Sequence, residues 1–148
     1  MKKGKRSRTD RRETTTQRSA IMARVKNKDT APEMIVRRLA FALGYRYRLH
    51  SAKLAGKPDL VFSGRRKVIF VHGCFWHGHH CRAGQNRPMS NTNYWSKKLE
   101  RNIQRDKENL RGVRSAGFSA LVIWECETRD TVKLKKRLQT FLGKVKYS

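Results

Sequence analysis

A chain of 148 residues can bury one substantial core but is short for two. Its 36 Lys and Arg face 11 Asp and Glu, a formal charge of +25. That excess opposes compaction by self-repulsion and points outward to a polyanion, nucleic acid first; a ribosomal protein or a membrane-surface binder shares the signature. No run approaches the ~20 apolar residues of a membrane span and no signal-peptide pattern is visible, which predicts a cytoplasmic chain with no membrane partner. Three cysteines are an odd number for a disulfide framework, and with histidines nearby they point to a metal.

Residues 1–20 hold eight Lys or Arg and almost nothing apolar, so 1–18 is expected to be a disordered basic arm and 19–148 a single domain. Thr30-Ala31-Pro32-Glu33 reads as a helix start, with Thr30 capping and Glu33 completing a capping box. Met34, Ile35, Leu39 and Leu43 follow at helical spacing and Gly44 can terminate the helix. Tyr45 to Leu49 and Pro58 to Phe62 read as strands. Lys67 to His72 is a third, apolar enough to be buried on both faces.

Residues 73–94 read as irregular, with five aromatic or histidine side chains between Phe75 and His80. A loop this long is usually functional or stapled by metal. A long helix is expected from Trp95 to about Ser115, with Trp95, Leu99, Ile103, Leu110 and Val113 on one stripe. Phe118 to Trp124 reads as the fourth strand. A final helix starts near Thr128, with Val132, Leu134, Leu138 and Leu142 inward. This order predicts a small α/β domain with a mixed sheet flanked by helices.

Two sets of residues carry chemistry. Cys74 and Cys81 bracket His79, and Cys126 follows the last strand; together they can surround one tetrahedral zinc that pins the loop. The alternative is a set of buried reduced thiols. Asp59 opens a strand behind Lys57 and Pro58, where a carboxylate can hold Mg2+ against a phosphate. Pro-Asp alone is a common turn dipeptide. Here the next strand ends at His72 and leads to His77, so a cation and a base for activating water can meet at one sheet edge.

Residues 56–62 (Gly-Lys-Pro-Asp-Leu-Val-Phe), 68–81 (Val-Ile-Phe-Val-His-Gly-Cys-Phe-Trp-His-Gly-His-His-Cys) and 121–126 (Leu-Val-Ile-Trp-Glu-Cys) closely resemble the very-short-patch repair DNA mismatch endonucleases. The resemblance spans roughly residues 18–142. It implies a restriction-endonuclease-like three-layer fold with a structural zinc. It also implies an enzyme that recognises T·G mismatches from deaminated 5-methylcytosine and nicks the thymine strand 5' of the mismatched base.

Residue by residue, Asp59 resembles the carboxylate that binds catalytic Mg2+. Val71 stands at a position linked to a second ion, either by its backbone carbonyl or by the hydroxyl of the Thr common there, which Val lacks. His77 resembles the general acid–base, and His72 a second active-site histidine. Glu33 resembles a carboxylate acting through a metal-bound water or orienting His77. Cys74, His79, Cys81 and Cys126 match the zinc ligands. Phe75, Trp76 and Trp95 match the aromatic wedge beside the mismatch, and Arg18, Met22 and Lys57 are further candidate DNA contacts. A T·G wobble pair is weakly stacked, so inserting aromatic surface there costs less than at a normal step.

Two positions depart from the family pattern: Val71 stands where Thr is common, and Gly78 interrupts the histidine run. The partners implied are duplex DNA with a T·G mismatch in the nucleoid, mismatch-repair factors by resemblance alone, and no second subunit. A related nuclease with another target, or a zinc-stapled DNA-binding module without catalysis, are the competing readings.

Overall fold

The computed structural model describes residues 29–85 and 91–145. The basic arm expected at 1–18, with Arg18, and the transition containing Met22 lie outside the described residues. Contacts divide the chain after Thr30, and the fold below is that of the unit beginning at Ala31.

Helix α1 spans Ala31–Ala42, and Gly44 at φ 102° turns the chain out of it. Its inward stripe is rotated from the expected one. Glu33 takes an inward position at 1% exposure; Val36 and Ala40, three and seven residues on, follow it into the core, and Ile35, Leu39 and Leu43 pack beside them. Strand β1 is only Arg48–Leu49, shorter than the expected Tyr45 to Leu49. Tyr45 and Tyr47 act as struts: the Tyr45 hydroxyl donates to the Gly143 carbonyl and the Tyr47 hydroxyl to the Arg37 carbonyl at 3.0 Å. Strand β2 is Leu60–Phe62. It starts after Pro58, which has no N–H to give a ladder, although Asp59 still accepts from the His50 N–H at 3.3 Å.

A 3-10 turn, Ser63–Arg65, leads into β3, Lys67–His72, whose bounds agree with the sequence reading. The stretch 73–94 is less irregular than expected. It contains a short helix α2, Arg82–Gln85, and the long helix α3 starts early, spanning Thr92–Ser115. Gly117, at φ 91°, turns the chain into β4, Ser119–Trp124. Thr128 belongs to a 3-10 turn, Glu125–Arg129, instead of opening the last helix. Helix α4 is Thr131–Leu142, capped by Asp130, whose side chain accepts from the Lys133 N–H. Val132 is 74% exposed and stands off the inward stripe of Leu134, Leu138 and Leu142.

The sheet runs β1-β2-β3-β4. β2 is antiparallel to both β1 and β3, while β4 lies parallel to β3 from Lys67↔Ser119 to His72↔Trp124. Alternation along the strands supplies two cores. Leu60, Phe62, Ile69 and Ile123 meet α1 and α4 on one face; Val61, Val68 and Phe70 meet Val113 and Leu110 of α3 on the other. The result is a mixed four-stranded sheet between helices, with the ends of β3 and β4 and the start of β2 on one edge. Among the described residues, no helix is long and apolar enough to cross a membrane.

Candidate active site and metal centre

The edge where β2 begins and β3 ends carries two clusters of polar side chains. The first is built on Asp59. Its Oδ2 accepts from the Val71 backbone N–H at 2.7 Å, so the strand pairing itself aims the carboxylate. Glu33 of α1 and His50, just past β1, close around it: His50 Nε2 lies 2.7 Å from Glu33 Oε2 and 3.8 Å from Asp59 Oδ1. Burial drives the Asp59 carboxyl up to about 7, against the Val71 hydrogen bond and with help from neighbouring Glu33. Two carboxylates pressed together out of water is an arrangement that a hard divalent cation relieves, so the donor set fits such an ion.

The second cluster is His72, His77 and Asp106. The rings of His72 and His77 stack with centroids 3.9 Å apart and planes 5° from parallel. Asp106, from the middle of α3, lies 2.6 Å from His77 Nδ1 through Oδ2 and 4.0 Å from His72 Nε2 through Oδ1. A carboxylate on Nδ1 selects the tautomer whose Nε2 is free to accept a proton. Burial, with the His77 ring behind it, pushes His72 down to about 4. Asp106 therefore faces the His77 ring, one of the two roles expected of Glu33, whereas Glu33 lies in the Asp59 cluster, where the other role, through a metal-bound water, would place it. Sequence reasoning missed Asp106 and His50. Asp106 sits among the charges of a basic helix and His50 follows a two-residue strand, so neither lies in a recognisable spacing.

His77 reaches His72 because the loop after β3 winds back in two short turns, with the His77 N–H bonded to Gly73 O and the His79 N–H to Cys74 O. Gly78 joins them at φ 63°, and a Cβ there would stand 2.7 Å from the Ile103 side chain. The left-handed backbone favours a glycine at this break in the histidine run, and the near neighbour is the flexible end of Ile103.

The same turns deliver the sulfur cluster. The ligating atoms of Cys74, His79, Cys81 and Cys126 all lie within 4.8 Å of one another. His79 Nδ1 is 3.7 Å from Cys126 Sγ, and Cys126 N–H donates to Cys74 Sγ at 3.4 Å. The backbone N–H of Gly84, with His79 and the other thiols, draws Cys81 down to about 6, whereas burial pushes Cys74 up to about 12. Gly84 is fixed by space, since a Cβ would come 2.0 Å from His79 O. Three thiols and an imidazole at this range form a soft set of four donors, which fits Zn2+.

Phe75, Trp76 and Trp95 pack edge to face or tilted, at 5.1 Å, 5.7 Å and 6.0 Å between ring centres. Phe75 and Trp76 are half-buried. Trp95 is 3% exposed and packs behind both rings in this conformation. As the inward residue of the first turns of α3, it backs the other two. Asn102 of the same helix ties the loop by donating to Trp76 O at 2.9 Å. Lys57 is exposed beside the Asp59 edge, in a left-handed turn at φ 47°.

This edge, with two carboxylates, a carboxylate-held histidine pair and a sulfur cluster behind an aromatic surface, can be compared with known proteins. A sequence model of the family DNA mismatch endonuclease Vsr matches residues 10–83. The chain belongs to the Vsr family. It is 47% identical over 125 residues to the Type II nicking enzyme V.XorIIP of Xanthomonas oryzae pv. oryzae, covering 84% of this chain and 91% of the relative. It is 40% identical over 133 residues to the Type II nicking enzyme V.NmeAIP of Neisseria meningitidis, covering 90% and 94%. It is 38% identical over 117 residues to the DNA mismatch endonuclease Vsr of Escherichia coli K12, covering 79% and 74%. Vsr-family membership accounts for both the +25 charge and the polar sheet edge.

Proposed function

We propose that this Vsr-family chain is a Mg2+-dependent DNA endonuclease that recognises a T·G mismatch and nicks the thymine strand 5' of the mismatched base. The observation that carries the reading is that consecutive residues of β3 hold the two clusters: the Val71 N–H holds the Asp59 carboxylate beside Glu33, and His72 stacks on the Asp106-held His77. When bound, Mg2+ (one or two ions) supplies charge stabilisation on the phosphate. Asp59, Glu33 and the backbone at Val71 would hold it; a backbone carbonyl serves equally whether the residue is Val or Thr.

His77 takes the proton of the attacking water at Nε2, since Asp106 occupies Nδ1. His72, neutral and stacked on it, keeps the ring flat and excludes water from one side. Phe75 and Trp76 wedge beside the weakly stacked mismatch, with Trp95 as their support and Lys57 against a phosphate. Cys74, His79, Cys81 and Cys126 would hold one structural Zn2+, and the architecture is restriction-endonuclease-like. The basic arm at 1–18, with Arg18, adds phosphate contacts, and Met22 in the transition after it is a further DNA contact, in a monomeric domain working on nucleoid DNA. Mismatch-repair factors are further partners.

The test is nicking of matched and T·G-mismatched duplexes with Mg2+, beside an Asp59→Ala control. Cleavage of the thymine strand in the mismatched duplex alone, lost in the variant, is the expected result. Equal cutting of both duplexes would move the target elsewhere, and binding without cutting would favour the module without catalysis.

A further inference from the structure

The function above leaves one inward-pointing group without a task. His50 follows a two-residue strand, sits at φ 45°, and directs Nε2 into the space between Glu33 and Asp59. That nitrogen is buried, and its 2.7 Å approach to Glu33 Oε2 is too far off line to be a hydrogen bond. A ring nitrogen and a carboxylate oxygen so close, yet not aimed at each other, have the relationship of two donors that face a third point. Ligands at right angles on one cation lie about 3 Å apart when metal–ligand bonds are ~2.1 Å. The positive φ holds the ring there by the backbone, with the His50 N–H tied to Asp59 O at 3.3 Å.

We propose that His50 Nε2 is a direct nitrogen ligand of the active-site cation, completing with Glu33 and Asp59 a mixed nitrogen–oxygen site that favours Mn2+ over Mg2+. The proposal rests on the reading of Asp59 as a cation ligand. Imidazole strengthens binding of the later divalent metals far more than that of Mg2+, whose preference is for oxygen and retained water. A site with this nitrogen keeps Mg2+ chemistry but ranks cations differently from one built of oxygen alone.

The experiment is Mn2+ binding to the full chain, without DNA, by calorimetry and by pulsed electron paramagnetic resonance, for wild type, His50→Gln and Asp59→Ala. Glutamine keeps a polar oxygen but removes the ring nitrogen. The expected result is nitrogen-14 modulation on bound Mn2+ in the wild type. In His50→Gln it is lost, with Mn2+ affinity weakened about 10-fold and Mg2+ affinity little changed. Modulation and affinity unchanged in His50→Gln, or Mn2+ binding that needs Asp59 yet shows no nitrogen signal in the wild type, would overturn the proposal and leave Asp59 as a cation ligand. Mn2+ binding equal in wild type and Asp59→Ala would overturn both. Melting temperatures of the variants separate lost ligation from lost folding.

Discussion

The His77 ring is gripped from two directions: Asp106 lies 2.6 Å from its Nδ1 and the His72 ring lies flat against its face at 3.9 Å. The contacts come from different elements, α3 and the end of β3, so ring orientation survives loss of either one only in part. His77→Ala is expected to lower kcat by roughly 10²–10⁴-fold, the usual scale of general acid–base catalysis. Asp106→Asn should fall between that variant and wild type in kcat, because the ring keeps His72 behind it but loses the carboxylate at Nδ1. An unchanged kcat in Asp106→Asn would remove this carboxylate from the chemistry.

Asp59 and His72 give folding stability a specific pH dependence. The Asp59 carboxyl is raised from 3.8 to about 7, so between those values the folded state holds a proton that the unfolded state has released, and stability falls as pH rises. His72 is lowered from 6.5 to about 4, so between those values the unfolded state holds the extra proton, and stability rises with pH. The two slopes oppose between pH 4 and 6.5. Without added Mg2+, urea unfolding of Asp59→Asn should therefore show it gaining on wild type from about pH 4 to 7, by a few kcal/mol at ~1.4 kcal/mol per unit, and levelling above. A difference independent of pH would contradict the buried carboxyl.

Removing metal from the sulfur cluster should lower the melting temperature and alter the Trp124 signal, because His79 stacks on Trp124 at 4.1 Å and 18°. Elemental analysis should give one zinc per chain, lost in Cys126→Ser. A metal-free chain with the same melting temperature would mean that the thiols are ordinary reduced cysteines.

The aromatic surface separates recognition from support. Trp76→Ala should cut mismatched duplex less well while folding normally, since its side chain is half-buried. Trp95→Ala removes a side chain that is 3% exposed and should cost stability, on the order of 3–5 kcal/mol. Comparing mismatch discrimination with urea unfolding for the two variants decides it; equal loss of stability in both would make Trp76 a core residue.

The features legible from sequence were those with short-range signatures. The apolar run of β3, the stripe of α3 and the Cys-x6-Cys spacing each announce themselves within one continuous segment. β1 shrank because Tyr45 and Tyr47 spend their side chains bracing carbonyls elsewhere, which alternation does not reveal. Val132 has the residue type of a core position but the wrong angle on α4. His50 and Asp106 reach the site through tertiary approach alone, one from the far end of a hairpin and the other from a helix whose charges resemble a solvated face.

Helix α3 carries Trp95 beneath the aromatic surface, Asn102 on the Trp76 carbonyl and Asp106 on His77. All three project from one side of a single rigid rod, so α3 works as a ruler. From Trp95 to Asp106 the axial rise is about 16 Å at ~1.5 Å per residue, and no loop within that span can lengthen or shorten it. Under the proposed function, the offset between the inserted rings and the bond that is cut is a property of helical geometry. One residue added between these positions would swing Asp106 by roughly 100° and disconnect the two ends.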